Sequence, residues 1–153
     1  MIGTMLFISL SYAEENQKED VPPVMMIHEI QWLMNEGENK ILFLSGKMEN
    51  KILFLAKSDG SDSNELARGN IVKTLISPNK EVLGFIVKGD GLWLLDFQNL
   101  NKSKVFTGEV LDMNWSDDSK YILCSVIEKD NQSVYVVNCN DWTNKKIHSE
   151  IFK

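Results

Sequence analysis

The chain has 153 residues, 43% of them hydrophobic and 25% charged, which is the composition of one ordinary globular domain and excludes general disorder. The formal net charge of −6 provides no basic footprint. The sequence therefore argues against nucleic acid as a partner and against binding to an anionic membrane surface.

The N-terminal segment has the layout of a secretory signal. Residues 1–10 are mostly apolar and uncharged, Ser11-Tyr12-Ala13 forms a small-x-small cleavage site, and residues 14–20 are polar. No Lys or Arg precedes the apolar run, so an apolar strand or a short membrane anchor is the alternative, although the run is too short to span a bilayer. The sequence predicts a signal peptide over residues 1–13, a linker over 14–26, and a periplasmic or extracellular protein that begins at Glu14.

The rest of the sequence repeats with a period near 40 residues. One polar-to-apolar cassette begins at Lys40, Glu81 and Lys120, so its copies are separated by 41 and 39 residues. Two other cassettes keep similar spacings, each in three copies. One consists of Ile30-Gln31-Trp32, Thr74-Leu75-Ile76 and Met113-Asn114-Trp115, and the other of residues 52–55, 92–95 and 134–137. Three markers with one period predict an internal structural repeat.

The cassettes have the chemistry of β-strands. They are short, rich in β-branched and aromatic residues, and bounded by turn residues such as Gly89-Asp90-Gly91. Several are apolar on both faces, which is typical of strands buried between stacked sheets. Residues 25–36 also fit helical spacing, but their place in the repeat favours a strand over 27–32. The fold class predicted is all-β, with strands that include 82–87, 92–97, 121–127 and 134–138.

A turn signature connects these strands to a known fold. Residues 115–122, which begin Trp115-Ser116-Asp117-Asp118, resemble the W-S-P-D-G-K-x-I signature of TolB-like, WD-repeat-like propeller blades, and residues 77–82 are similar to it. The same signature occurs in the propellers of prolyl-oligopeptidase relatives. The resemblance implies a partial β-propeller of three tandem four-stranded antiparallel blades, at about 27–69, 70–108 and 109–153. It also implies that the residue before each turn, Trp32, Ile76 or Trp115, packs between blades.

Few residues indicate chemistry. His28 and His148 lack the additional spaced ligands of a zinc site, and residues 59–70 do not match a calcium-binding EF-hand loop. We find no hydrolase elbow, dinucleotide motif or P-loop. The sequence therefore predicts no catalytic, cofactor-binding or metal residues. Trp142, in a polar loop after an apolar strand, is a candidate interaction residue, with packing against its own sheet as the alternative.

Cys124 and Cys139 flank the hairpin of the third repeat. If Ile127 lies opposite Val136 across the loop over residues 128–133, the same register places Cys124 opposite Cys139, whereas the neighbouring register moves them apart. Opposed Cα atoms are close enough for a disulfide, which an exported compartment permits. The sequence predicts cross-strand neighbours and a candidate disulfide, with two buried free cysteines as the alternative.

Closed propellers usually contain four to eight blades, so three blades leave two open faces. The missing blades would come from the rest of a longer chain or from self-association with a second copy. The function that we expect is non-enzymatic binding of a protein partner outside the cytoplasm. The alternative is the propeller fragment of a secreted prolyl-oligopeptidase-like serine peptidase that lacks its hydrolase domain.

Overall fold

The computed structural model describes residues 26–35 and 37–151, and this part of the chain contains twelve strands and no helix. The strands are β1 (Met26–Asn35), β2 (Glu38–Lys47), β3 (Asn50–Lys57), β4 (Asn64–Gly69), β5 (Ile71–Ile76), β6 (Val82–Val87), β7 (Gly91–Asp96), β8 (Lys102–Thr107), β9 (Glu109–Trp115), β10 (Tyr121–Glu128), β11 (Asn131–Asn138) and β12 (Asn144–Ile151). The expected signal peptide over 1–13 lies outside the described residues, as does the linker except for Met26, which opens β1.

The strands form three four-stranded antiparallel sheets, each built from four consecutive strands in meander order. We call them blade one (β1–β4), blade two (β5–β8) and blade three (β9–β12). The predicted all-β fold of three tandem blades is confirmed, as is the strand over the ambiguous segment that begins the first repeat. The pattern succeeded because short apolar runs between turn residues satisfy their backbone hydrogen bonds most simply in hairpins.

Side chains alternate between the two faces of each blade. We call the face towards the preceding blade the leading face, and the opposite one the trailing face. In blade two both faces are buried: Leu83 and Phe85 on the leading face pack towards blade one, and Ile86 and Leu92 on the trailing face pack towards blade three. The unbroken apolar runs of the middle repeat therefore reflect burial on both sides of one sheet.

Two inter-blade cores hold the blades together. The first is formed mainly by leucine and isoleucine and includes Leu42, Leu44, Leu53, Ile71, Leu83 and Leu95. The second includes Ile86, Leu92, Leu94, Met113, Ile122 and Val137. Each of these twelve side chains is at most 2% exposed, and burying one such side chain stabilises the fold by about 1.5–3 kcal/mol.

Trp115 shows the purpose of the aromatic residue before the turn. It packs against the second core, and its indole Nε1 donates a hydrogen bond of 3.1 Å to the Leu75 carbonyl of blade two. Trp32 occupies the same position in blade one, because Trp32 pairs with Ile41 as Trp115 pairs with Ile122. The predicted packing between blades is thus confirmed for Trp115. Trp32 instead lies 55% exposed on the leading face of blade one, which no described residue covers.

The turn between β10 and β11 is tighter than the sequence predicted. Glu128 pairs with Asn131, so Lys129 and Asp130 alone form the turn, with Lys129 in the left-handed region at φ 55°. The Glu128 carboxylate accepts a hydrogen bond of 2.8 Å from Ser133 of the facing strand. These contacts extend the ladder into what was expected to be a six-residue loop, and the turn then sets the register of the whole hairpin.

The tighter turn corrects the prediction for the cysteines. Cys124 lies opposite Tyr135, whereas Cys139 follows the end of β11 and donates its N–H to the Lys120 carbonyl at 2.8 Å. The predicted opposition of the two cysteines is therefore wrong, and both are free thiols that pack in or against the second core. Burial raises the pKa of each thiol to about 11.

Candidate functional site

The two ends of the blades carry different connections. Antiparallel strands reverse at every turn, so alternate connections lie at the same end. At one end, the connections after β2, β4, β6, β8 and β10 contain one to three residues; at the other, those after β3, β5, β7, β9 and β11 contain five or six. We call these the turn end and the loop end. Because loops on a rigid scaffold are the usual place for binding residues, the loop end is the candidate site.

The loop between β7 and β8 presents Leu100. The Asp96 carboxylate accepts the backbone N–H of Gln98 at 2.7 Å, and the Asn99 side-chain oxygen accepts the N–H of Asn101 at 2.8 Å. Leu100 donates its own N–H to the Asp96 carbonyl at 2.9 Å. These three bonds hold Leu100 at φ 58° with its side chain 46% exposed.

The loop between β11 and β12 repeats this arrangement around Trp142. The Asn138 side-chain oxygen accepts the N–H of Asn140 at 2.9 Å, and the Asp141 carboxylate accepts that of Thr143 at 3.0 Å. Trp142 donates its N–H to the Asn138 carbonyl at 2.9 Å. The residue lies at φ 61° and is 41% exposed. The interaction residue proposed from the sequence is therefore a half-exposed tryptophan at the loop end.

A left-handed backbone is costly for a large side chain. For residues other than glycine this region costs roughly 1–2 kcal/mol, and asparagine or aspartate tolerates it best. Here Leu and Trp occupy it in equivalent loops of neighbouring blades, and neither gains full burial in return. Residues held in such conformations by surrounding bonds concentrate at binding sites.

A cleft of about 520 Å³ adjoins Leu100 at the loop end, between blades one and two. Phe97 lines it together with the salt bridge between Lys57 and Asp62 (2.6 Å). The Lys57 ammonium, whose pKa is raised mainly by its hydrogen bond to Asp62, remains charged at neutral pH. The lining of the cleft therefore combines apolar side chains with charges of both signs.

The signature turns brace the same end. Ser77 accepts the Val82 N–H at 3.0 Å and donates to Asn79 at 2.6 Å, and the turn from Ser116 to Lys120 repeats both contacts. The two turns also touch, because the Asn79 N–H donates to the Ser119 hydroxyl at 3.0 Å. The motif that indicated the fold thus fixes the relative position of the loops in blades two and three.

The perturbed carboxyl groups are engaged in salt bridges and caps. Glu128, near the turn end, has its pKa lowered to about 2, chiefly by its hydrogen bond to Lys146 and then by Tyr135 and Ser133. Hydrogen bonding to Lys73 likewise lowers the pKa of Asp112. Groups held ionised in this way stabilise structure and are poorly suited to proton transfer near neutral pH.

The two histidines lie in different blades and do not share a site. The His28 ring is 2.9 Å from the Gly46 carbonyl, and the His148 ring is 3.2 Å from the Glu150 carboxylate. Among residues 26–35 and 37–151, no three His, Cys, Asp or Glu side chains are grouped so that they could hold a metal ion. The same residues contain no helix of the length and apolarity needed to cross a membrane.

Leu100 is the site residue that the sequence analysis missed. The segment Asp96-Phe97-Gln98-Asn99-Leu100-Asn101 aligns with Asn138-Cys139-Asn140-Asp141-Trp142-Thr143, with a capping side chain first and an Asn or Asp before the apolar residue. Extending the repeat alignment from the strands into these loops would have paired Leu100 with Trp142. Polar loops vary more than buried strands, which is why the signal is weak there.

Comparison with solved structures establishes the fold. The chain is similar to the tricorn protease, with a TM-score of 0.63 and 16% identity, and the match covers 82% of this chain and 13% of that one. It is also similar to TolB from Acinetobacter baumannii, with a TM-score of 0.55 and 15% identity, over 71% of this chain and 30% of TolB. A third similar structure is the β-propeller domain of the Trilobed protease from Pyrococcus furiosus, with a TM-score of 0.61 and 10% identity, over 84% of this chain and 43% of that one. No family model and no curated protein matches the sequence.

These similarities, with three consecutive four-stranded sheets, define the fold of the chain as that of β-propeller blades. The chain spans only 13 to 43% of the lengths of the three proteins. The neighbours include enzymes, but the matched part is their propeller portion. At 10 to 16% identity, the likeness describes fold and carries no activity to this chain.

Proposed function

We propose that the protein is a non-enzymatic binding module that recognises a protein partner through the loop end of blades two and three. The observation that carries the proposal is the pair Leu100 and Trp142, two large apolar side chains held exposed at φ 58° and 61° in equivalent loops. Folding alone would favour asparagine or glycine at both positions. A binding role explains why large apolar residues stand there instead.

The chemistry around these residues supports a protein partner. Aromatic and aliphatic anchors surrounded by polar groups are the common composition of interaction hot spots. The cleft beside Leu100 adds the Lys57–Asp62 pair, which can order the polar backbone of a peptide. The acidic net charge of −6 favours a partner with a neutral or basic surface.

We further propose that the module works in the periplasm or outside the cell. Support comes from the apolar segment over residues 1–10 and the small-x-small site at Ser11-Tyr12-Ala13. Protein recovered from the envelope or the medium should begin at Glu14. N-terminal sequencing that finds Met1 on cytosolic protein would contradict the export proposal and leave the binding proposal standing.

A second candidate is the propeller part of a secreted serine peptidase of the prolyl-oligopeptidase kind. It is favoured by the similarity to the tricorn and Trilobed proteases, of which the chain spans 13% and 43%. The DNA on both sides of the reading frame discriminates the two. A contiguous Ser/Asp/His hydrolase domain would support the peptidase, and a neighbouring gene for an envelope complex would support the binding module.

The binding proposal is tested by introducing a photo-crosslinking phenylalanine analogue in turn at positions 100 and 142 in the producing cells. Position 48 is the control, because Met48 is an apolar side chain at the turn end and is 73% exposed. We expect one defined protein adduct from positions 100 and 142 and none from position 48. Equal adducts at all three positions, or none, would contradict recognition at the loop end.

The adduct is then verified by affinity. The double variant Leu100→Asn and Trp142→Asn removes both anchors, and asparagine accepts the left-handed backbone. We expect the variant to be at least as stable as the wild type, and to bind the captured protein about 30-fold more weakly or worse, as loss of a hot spot implies. Met48→Asn should bind normally. Unchanged affinity of the double variant would refute the proposed anchors.

A further inference from the structure

The leading face of blade one is apolar and open. Ile27, Ile30, Trp32 and Met34 of β1 are between 55% and 67% exposed. The same face contains an apolar depression of about 230 Å³, lined in part by Ile30 and Phe43. A group of neighbouring large apolar side chains with this exposure is unusual on a monomeric protein and marks a contact surface.

The same positions are buried wherever a blade precedes. Ile30 pairs with Phe43, as Thr74 pairs with Phe85 in blade two and Met113 with Cys124 in blade three. Ile30 is 67% exposed, whereas Thr74 and Met113 are each 2% exposed. The leading face of blade one therefore has the composition of a face that another blade covers.

The aromatic pairs of the leading faces also correspond. Phe43 and Phe54 stack at 5.2 Å on the open face of blade one. Phe85 and Trp93 occupy the same cross-strand positions in blade two and stack at 6.3 Å, packed against the first core. The open face thus displays the aromatic arrangement that blade two uses in contact with blade one.

The trailing face of blade three is the complementary open surface. Leu123 is 48% exposed there, and Val134 and Val136 are only partly covered. Leu123 pairs with Val136 as Gly84 pairs with Leu94, so these are the positions that blade two buries against blade three. Among its described residues, one chain therefore has a trailing face without a successor and a leading face without a predecessor.

We propose that a second copy of this chain covers both faces, with blade three of each copy packed on blade one of the other. Two such junctions, related by a two-fold axis, close a ring of six blades. Propellers typically contain four to eight blades, and two copies of the three described blades make six. The contacts at the new junctions repeat those between consecutive blades, so the interface continues one that the chain already makes.

The repeat specifies contacts at the new junction. Met113 of blade three lies against Gly84 of blade two, where a Cβ would be 3.1 Å from its sulfur. At the equivalent place, Ile30 of one copy would meet Leu123 of the partner copy. The Trp32 indole, equivalent to that of Trp115, would lie next to the partner copy's Asn114 carbonyl, which corresponds to the carbonyl of Leu75.

The proposed junction is an apolar contact, and its charged residues form no new ion pair. Glu29, Lys73 and Asp112 occupy the same inner-strand position in the three blades. Lys73 already pairs with Asp112, and Glu29 accepts a hydrogen bond from Thr74. The new junction would bring Asp112 of one copy near Glu29 of the partner copy, a like-charged pair, so added salt should leave the dimer as strong or strengthen it.

Sedimentation equilibrium of the full chain and of two charged variants tests the arrangement. Ile30→Lys and Leu123→Asp each place an unpaired charge in both junctions, while each side chain is exposed enough in the single chain to leave its fold intact. We expect a wild-type dimer, and dimerisation about 100-fold weaker for each variant alone. Met48→Lys, which changes an exposed side chain in the turn between β2 and β3, is the control and should dimerise like the wild type.

Mixing the variants identifies the geometry. In a mixed pair, one junction is wild type, and the other opposes the lysine introduced by Ile30→Lys to the aspartate introduced by Leu123→Asp, so equimolar mixing should restore the dimer. If blade one instead packs on blade one of the second copy, Ile30→Lys alone disrupts it, Leu123→Asp is silent, and mixing does not restore it. That result, or a wild-type monomer at micromolar concentration, overturns the proposal.

Discussion

The junction between blades two and three can be tested by exchanging volume across it. Gly84 in β6 and Met113 in β9 are in contact, since a Cβ on Gly84 would lie 3.1 Å from the Met113 sulfur and 3.4 Å from its terminal methyl. Met113 is 2% exposed. The Met113 side chain therefore leaves no room for a side chain at position 84. The backbone of Gly84 is ordinary extended strand, so its conformation does not require glycine.

The substitution Gly84→Val overfills this contact. Overpacking of a well-packed core costs about 1–3 kcal/mol, while replacing glycine within a strand returns up to about 1 kcal/mol, so we expect a net loss of about 2 kcal/mol. Met113→Ala leaves a cavity at a fully buried position and should cost about 3 kcal/mol. If the sites were independent, the double variant would lose about 5 kcal/mol.

The double variant should instead lose only about 2 kcal/mol, because Val and Ala together occupy nearly the volume of Gly and Met. The coupling would then be about 3 kcal/mol, at the upper end for residues in contact. Urea unfolding at one fixed protein concentration measures all four proteins, and equal m values are required for comparison. As a control, Gly84→Val combined with Leu53→Ala, which lies in the other core, should be additive. Additive losses for Gly84→Val and Met113→Ala, or a stabilising Gly84→Val, would refute this account of the junction.

Two further predictions concern titratable groups. Because the pKa of Glu128 is lowered from 4.5 to about 2, its pairing with Lys146 stabilises the fold fully above about pH 4.5, and this stabilisation is lost as the pH falls towards 2. Glu128→Gln should flatten the unfolding free energy over that interval, and an undiminished difference between wild type and variant at pH 2 would contradict it. Since burial raises the pKa of Cys124 and Cys139 to about 11, unreduced protein should retain two thiols that are alkylated at pH 8 only after unfolding. A mass lower by two hydrogens would show a disulfide and contradict the register.

Local chemistry was enough to predict the blades. Runs such as residues 82–87 and 121–127 are apolar, β-branched and bounded by turn residues, and strands form there because hairpins satisfy their backbone. The position of Trp115 in its repeat likewise predicted its inter-blade packing. Trp142 could be named from sequence because an aromatic residue in a polar loop stands out.

The register of β10 and β11 was decided by the tertiary structure. Glu128 interacts with Ser133 of the next strand and Lys146 of the strand beyond, and these contacts draw the turn back to Lys129 and Asp130. No local signal distinguishes this turn from the longer loop that the polar residues suggest. The cysteine prediction failed because a four-residue change of register keeps every side chain on its face while changing its cross-strand partner.

The repeat, the strands and the polar turns depend on contacts between residues near one another in the chain, so the amino-acid pattern was enough to predict them. Only the tertiary structure showed which face of each strand is covered. Ile30, Thr74 and Met113 occupy one position of the repeat, yet the first is exposed and the other two are buried. Their burial depends on whether a blade lies in front of them, and that depends on residues about 40 positions away.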